Sequence, residues 1–240
     1  MQGNADTTKL YSVAQILTKA HRMLTRDCHD MLAGRIAVLL ATMKLHLILS
    51  TLLVATCSAQ AAETIVLLRH GEKPEAGLGQ ITCQGLNRAL ALPGVLLGRY
   101  GVPAAIFAAN PGQQKEDRGI VFSYVRPLAT IEPTAIRAGL PVDTRFGFDQ
   151  IGPLQAALLA PGLQNATVFV AWEHHLAENL ARNLVSSFGG NPADVPKWRS
   201  EDFDSLYVVT LEEDTQGRRR ARFQRDSQGL DGQARTCPSP

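Results

Sequence analysis

The sequence predicts an α/β fold, a three-layer α/β/α sandwich whose central sheet is mostly parallel and finishes in a C-terminal antiparallel hairpin. Three observations carry that expectation. From residue 63 onward, short apolar runs alternate with stretches of helical periodicity, the pattern of successive βαβ units. The runs Thr64–Arg69 and Ala166–Trp172 are almost continuously apolar, as strands covered on both faces are. Near the end, two strand-like runs flank Asp214-Thr215-Gln216-Gly217, a hairpin turn.

Residues 43–62 stand apart from this pattern. They begin Met43-Lys44, continue through an apolar stretch of about a dozen residues and end in small residues at Ala59-Gln60-Ala61-Ala62, which reads as a secretory signal cleaved after Ala61 or Ala62. On that reading the natural start is Met43, and residues 1–42 are an upstream extension or a mis-assigned start. The rival reading joins residues 36–56 into a membrane anchor, but Lys44 and His46 interrupt its middle. Lipidation at Cys57 is disfavoured by the bulky Thr56 before it. The expected location is periplasmic or secreted, with residues 63–240 as the working domain and contact with a membrane only through an uncleaved N-terminal segment.

In chain order, Thr64–Arg69 is the first strand, followed by a polar loop from Gly71 to Gln80. Thr82-Cys83-Gln84-Gly85 opens a helix with apolar or small positions at Leu86, Ala89, Leu90, Leu92, Val95, Leu96 and Leu97, which Pro93-Gly94 is expected to kink or divide. Ala104–Ala109 is a second strand, Gln113–Gly119 a charged loop and Pro127–Gly139 a helix. Val142–Phe146 is a brief third strand, and Pro153–Leu159 a helix stopped by Pro161-Gly162. Ala166–Trp172, the most hydrophobic run, suits the centre of the sheet. The helix after it carries Leu176, Leu180, Leu184 and Phe188 on one face as core. Ser205–Leu211 and Arg220–Gln224 form the hairpin, with Arg218-Arg219-Arg220 as a solvated edge that discourages sheet-to-sheet association. Arg225–Pro240 is polar and expected to fray.

The whole chain carries 24 Lys+Arg against 22 Asp+Glu. Six of those bases and three of those acids precede residue 63, so the domain holds 18 against 19 and offers no basic surface for nucleic acid. Its two cysteines, Cys83 and Cys237, meet an oxidising compartment if the protein is exported. A disulfide between them and two free thiols are both compatible with the sequence, which contains no distance.

Three histidines remain beyond residue 63, and each lies just past a strand. His70 ends the first, within Leu68-Arg69-His70-Gly71-Glu72, and His174 and His175 follow the central one, within Val170-Ala171-Trp172-Glu173-His174-His175. Ligands of open α/β folds gather at the carboxyl ends of strands, so two segments deliver imidazoles to one rim. A neutral imidazole oriented through one nitrogen can attack phosphorus through the other. Arg69 offers a planar fork for phosphate oxygens, and Gly71 allows close backbone approach.

Leu67-Leu68-Arg69-His70-Gly71-Glu72-Lys73-Pro74 resembles the first motif of the histidine phosphatase superfamily, which has a phosphoglycerate-mutase-like fold. Ile81-Thr82-Cys83-Gln84-Gly85-Leu86-Asn87-Arg88-Ala89 is similar to that family's Leu-Thr-x-x-Gly-x-x-x-Ala helix start. Ser123-Tyr124-Val125-Arg126-Pro127-Leu128-Ala129-Thr130 is similar to the segment bearing its second phosphate-binding arginine, and Val170–His174 stands where it places its second histidine. The four matches occur in the family's order and span residues 64 to about 210.

The resemblance implies a phosphatase that hydrolyses a phosphomonoester, on a small molecule or a protein, through a phosphohistidine on His70, without metal or cofactor. Arg69, Arg126 and His174 would form the phosphate pocket. Gly71 is expected to bring backbone close to the ligand and Lys73 to stand at the pocket mouth or in a solvated loop, with Glu72 and Glu173 flanking the histidines and either tuning them or holding Arg69 and Arg126 in place. Arg88 is expected to be structural or at the rim, and Trp172 core. Zinc on His174 and His175 is disfavoured because adjacent residues rarely ligate one ion well. The chain departs from the family in its general acid. Asp143, Asp149, Glu72 and Glu173 are the candidates, and the sequence does not choose among them. The serine and asparagine that follow the first motif in mutases are missing. The alternative function is a periplasmic module that binds a phosphate ligand, or a degenerate structural member of the fold, without turnover. Pocket walls are expected from 75–80, 112–119 and 189–198.

Overall fold

Each face of strand β1 (Glu63–Arg69) is buried beneath a different layer, which is why its central run, Ile65–Leu68, is apolar at every position. The computed structural model describes residues 62–239; the upstream extension, signal peptide and membrane-anchor readings lie outside the described residues. Ile65 and Leu67 pack against helices α3 (Ile151–Leu158) and α4 (His174–Ser187), through Leu154, Leu158, Leu180 and Leu184. Val66 and Leu68 pack on the opposite side against α1 (Cys83–Tyr100) and α2 (Arg126–Ala138), through Leu92, Leu96, Ile131 and Ala135. The result is the expected three-layer α/β/α sandwich.

The remaining strands of the central sheet are β2 (Ala105–Ala108), β5 (Val142–Asp143), β6 (Thr167–Trp172), β7 (Ser205–Glu213) and β8 (Arg219–Ser227), in the spatial order β5-β2-β6-β1-β7-β8. Strands β5, β2, β6 and β1 run parallel, and β7 and β8 close the sheet as an antiparallel hairpin against β1. The register sets Arg69 beside Trp172, and the His70 N–H donates to the Trp172 carbonyl at 3.0 Å. The residues after β1 and those after β6 therefore leave the sheet side by side. No helix among the described residues is long and apolar enough to cross a membrane.

Several expectations are corrected. Pro93 lies inside α1 without dividing it: Ala89, Leu92 and Leu96 bury one continuous face across it, and that packing offsets its missing N–H. The supposed charged loop at 113–119 is instead the first arm of a hairpin, β3 (Gln114–Asp117) with β4 (Ile120–Ser123). Its two central residues, Arg118 and Gly119, both have positive φ (55° and 78°), the two-residue turn that follows the twist of paired strands. The strand expected at Val142–Phe146 is only two residues long, β5. Arg219 is not a solvated edge residue but reaches the buried Glu63, while Arg218 and Arg220 share Asp214.

The C-terminal segment does not fray. Cys237 is disulfide-bonded to Cys83, Asn87 Nδ2 donates to the Ala234 and Thr236 carbonyls at 2.8 Å each, and Asp231 pairs with Arg88. The tail is thus fastened to the first turn of α1, where the Thr82 side chain caps the helix by accepting from the Gly85 N–H.

Candidate active site

Four segments meet at the carboxyl ends of β1 and β6: the β1 end, the start of α4, the β3–β4 hairpin and the start of α2. They enclose a cavity of about 190 Å³ lined by Arg69, His70, Lys73, Lys115, Glu116, Asp117, Tyr124, Arg126, Glu173 and His174. The four residues expected to form a phosphate pocket, His70, Arg69, Arg126 and His174, are all on this wall, and Lys73 and Glu173 join them.

His70 is 3 % exposed, and its Nδ1 lies 2.8 Å from the Gly71 carbonyl. A carbonyl only accepts, so the proton sits on Nδ1 and the Nε2 lone pair is left free. Burial holds this ring far below the ordinary imidazole range, at about 3. The Gly71 carbonyl opposes that shift, and the Arg69 and Arg126 charges reinforce it. His70 is therefore a neutral, oriented imidazole, the form needed for nucleophilic attack.

Arg69 is fixed by three contacts. Its Nη1 donates to the Ser200 carbonyl and, at 3.2 Å, to the Asp202 carbonyl, and its guanidinium lies 3.7 Å from the centre of the Phe203 ring. Arg126, 2 % exposed at the start of α2, gives both terminal nitrogens to Asp117 Oδ2 at 2.7 Å. Asp117 also takes Lys73 at 3.1 Å. The carboxylate that positions the second arginine thus comes from the hairpin, not from Glu72 or Glu173 as expected. Opposing burial, Arg126 and Lys73 hold the Asp117 carboxyl below its usual range.

Glu173 instead serves α4. Its Oε2 accepts from the Leu176 N–H at 3.1 Å as the N-cap, and its Oε1 lies 2.6 Å from His174 Nδ1, an ion-pair distance without hydrogen-bond alignment. Burial favours the acid form, but the contact with His174 outweighs it and holds Glu173 at about 2. His174 Nε2 lies 3.3 Å from Ser200 Oγ. His175 is exposed and lies against His174, with ring centres 3.9 Å apart and planes tilted by 34°. Glu173, His174 and His175 bring one ligand atom each within 4.8 Å of one another, a spacing open to a metal ion. His174 Nδ1, however, already faces Glu173, which leaves Nε2, beside Ser200 Oγ, as its only nitrogen toward a ligand.

Gly71 and Glu72 stand behind the cavity rather than on its wall. A Cβ at Gly71 would meet Gly85 Cα at 3.0 Å, and one at Gly85 would meet the Glu72 carbonyl oxygen at 2.8 Å. The two glycines let the motif loop and α1 touch backbone to backbone, which is a packing reason for Gly71 rather than ligand approach. The Gly71 N–H donates to Thr130 Oγ1 at 2.8 Å. Glu72 is clamped by Arg88 through Nε and Nη2, and Arg88, 1 % exposed, also binds Asp204, Gln228 and Asp231. Arg88 is structural, as anticipated. Trp172 is core, its Nε1 donating to the Phe148 carbonyl at 2.8 Å.

Of the other acid candidates, Asp143 pairs with Arg145 and Asp149 accepts from Gln113, and neither lines the cavity. The wall expected from 112–119 is present, but Lys115 and Asp117 on it were not singled out, and Tyr124 was placed only within the segment of Arg126, without a role. The alternation that puts Lys115 and Asp117 on one face of β3 was the available signal, hidden by reading the segment as a loop. The expected walls at 75–80 and 189–198 contribute no lining residue.

Among the described residues, six buried side-chain polar atoms lack a hydrogen-bond partner. Four of them belong to this one wall: Arg69 Nε, Arg126 Nε and Tyr124 Oη, together with His174 Nδ1, which has the Glu173 carboxylate at ion-pair distance. Buried polar atoms are ordinarily satisfied, so a cluster of orphans around a cavity marks a place built for a polar ligand.

No family model and no curated protein matches the chain. Solved structures similar to it include a SixA protein from Nakamurella multipartitia described as a phosphohistidine phosphatase (16 % identity, 68 % of this chain and 95 % of that one, TM-score 0.44). A phosphoserine phosphatase from Entamoeba histolytica with phosphoserine bound (12 %, 70 % and 98 %, 0.44) and a phosphoglycerate mutase from Plasmodium falciparum (10 %, 70 % and 91 %, 0.44) are similar to the same extent.

Proposed function

We propose that the protein is a phosphatase that hydrolyses a phosphomonoester through a phosphohistidine on His70, without a metal ion. The observation that carries this reading is the neutral, buried His70 whose Nδ1 is committed to the Gly71 carbonyl, with two guanidinium groups and a second imidazole on the same wall. Nε2 attacks phosphorus in line as the bond to the leaving oxygen breaks. Arg69, Arg126 and His174 take the charge on the equatorial oxygens. Water then attacks the phosphohistidine, its proton is released, and phosphate departs as the imidazole regains its lone pair.

The leaving oxygen needs a proton unless it departs as a stable anion. Glu72 is held by Arg88, Asp117 by Arg126 and Lys73, and Glu173 is ionised beside His174. Glu116, the remaining carboxylate on the cavity wall, has no ion-pair partner among the described residues and is the one left to supply that proton; without it the site favours leaving groups that depart readily, such as aryl phosphates, over alkyl esters. The Cys83–Cys237 disulfide supports an exported setting for the activity.

In the test, His70→Ala is expected to abolish turnover of an aryl phosphate, and EDTA to leave the wild-type rate unchanged. Rapid acid-free quenching of the wild type should trap an acid-labile phosphoprotein. Full turnover by His70→Ala would overturn the assignment, and loss of activity in EDTA would overturn its metal independence.

A further inference from the structure

Tyr124 is 1 % exposed and sits between β4 and α2, its N–H donating to the Gln113 carbonyl at 3.0 Å. Its ring meets His70 edge-on with centres 6.1 Å apart and Phe148 at 5.6 Å. Those contacts alone would make it core, and a phenylalanine would serve as well. The hydroxyl is the exception. It is buried, on a residue of the cavity wall, and has no hydrogen-bond partner, whereas buried tyrosine hydroxyls usually find one.

A second observation points the same way. Lys115 is half-buried on the same wall, with Nζ 4.8 Å from the Tyr124 ring centre and 4.4 Å from that of Phe148. Among the described residues no carboxylate lies within ion-pair distance of it, in contrast to Lys73 and Arg126, which share Asp117. An aromatic bracket positions a cation without neutralising it. Donor and cation together suit an anion with several acceptor oxygens. We propose that Tyr124 is a further phosphate-binding residue, its hydroxyl donating to one oxygen of the bound phosphoryl group, with Lys115 adding charge at the same corner. The identity of the anion rests on the phosphatase reading. Burial raises the Tyr124 phenol well above its ordinary range, so it keeps the proton it donates.

The test is calorimetric titration of the full chain with orthovanadate, for wild type, Tyr124→Phe and Lys115→Met, alongside the ligand-free Tm of each. Tyr124→Phe is expected to weaken vanadate about tenfold, the loss of one hydrogen bond to a charged oxygen. Its ligand-free Tm should stay the same or rise, because the variant removes a buried hydroxyl that had no partner. A merely structural tyrosine predicts the reverse, with Tm falling and affinity unchanged, and that result overturns the proposal. If Tyr124→Phe does not fold, Lys115→Met decides: weaker vanadate binding supports the shared corner, and unaltered binding refutes it. Vanadate binding needs no turnover, so the two readings fail separately. A protein inactive on every phosphoester that still loses vanadate affinity in Tyr124→Phe sinks the phosphatase and keeps the site. An active protein whose Tyr124→Phe variant binds vanadate normally sinks only the site.

Discussion

His70 has a folded-state pKa of about 3 because burial disfavours the imidazolium, and Arg69 and Arg126 add to that effect against the opposing Gly71 carbonyl. An unfolded chain would protonate the same ring near 6.5. Its contribution to stability is therefore complete above about pH 6.5 and is lost as the pH falls toward 3, at on the order of 1.4 kcal/mol per pH unit within that window. Glu173, held at about 2, adds a second loss on the acid side of 4.5. We expect Tm to fall between pH 6.5 and 5 in the wild type and to be nearly flat there in His70→Asn, measured by scanning calorimetry. Equal slopes would mean that the ring is not held neutral. At this scale the sequence was informative: His70, Arg69, Arg126 and His174 share one cavity as their motifs implied. Lys115 and Asp117 carry only the strand alternation of β3, and Tyr124 carries none, because what makes them part of the site is the segments they face.

At the scale of elements, the site depends on two close contacts. The β3–β4 hairpin brings Asp117 to Arg126 and Lys73, and α1 presses its first turn against the motif loop at Gly71 and Gly85. Gly85→Ala places a methyl 2.8 Å from the Glu72 carbonyl oxygen and 2.9 Å from its nitrogen, so the backbone on which His70 is oriented must shift. Turnover of an aryl phosphate is expected to fall roughly 10- to 100-fold, with the helix content read by circular dichroism unchanged. Normal kinetics in this variant would show that the contact does not set the geometry of His70. The hairpin was misread because Arg118-Gly119 is not one of the usual turn pairs, although both residues adopt the positive φ that such a turn needs. Pro93 does not divide α1, contrary to one of the two outcomes expected for it. A proline inside a helix is a local penalty, and the buried face that overrides it is a tertiary property.

Across the whole molecule, the disulfide closes a loop of 154 residues and ties the tail to the helix that supports the motif loop. Restricting the unfolded chain by a loop of that length contributes about 5 kcal/mol in the chain-entropy description. Reduction, or the paired change Cys83→Ser with Cys237→Ser, is accordingly expected to lower Tm by on the order of 10 °C for a domain of this size. No change in Tm on reduction would argue that the cross-link contributes nothing.

By itself the sequence determined the layering, the parallel strands, the C-terminal hairpin and the two imidazoles at one rim, because periodicity and strand-end position are local properties that survive folding unchanged. Tertiary structure alone decided which carboxylate holds Arg126, that Gly71 and Gly85 pack backbone to backbone, that Cys83 meets Cys237 and that a tyrosine hydroxyl waits unpartnered beside His70. Each of those is a distance between segments far apart in the chain, and such distances are set by packing.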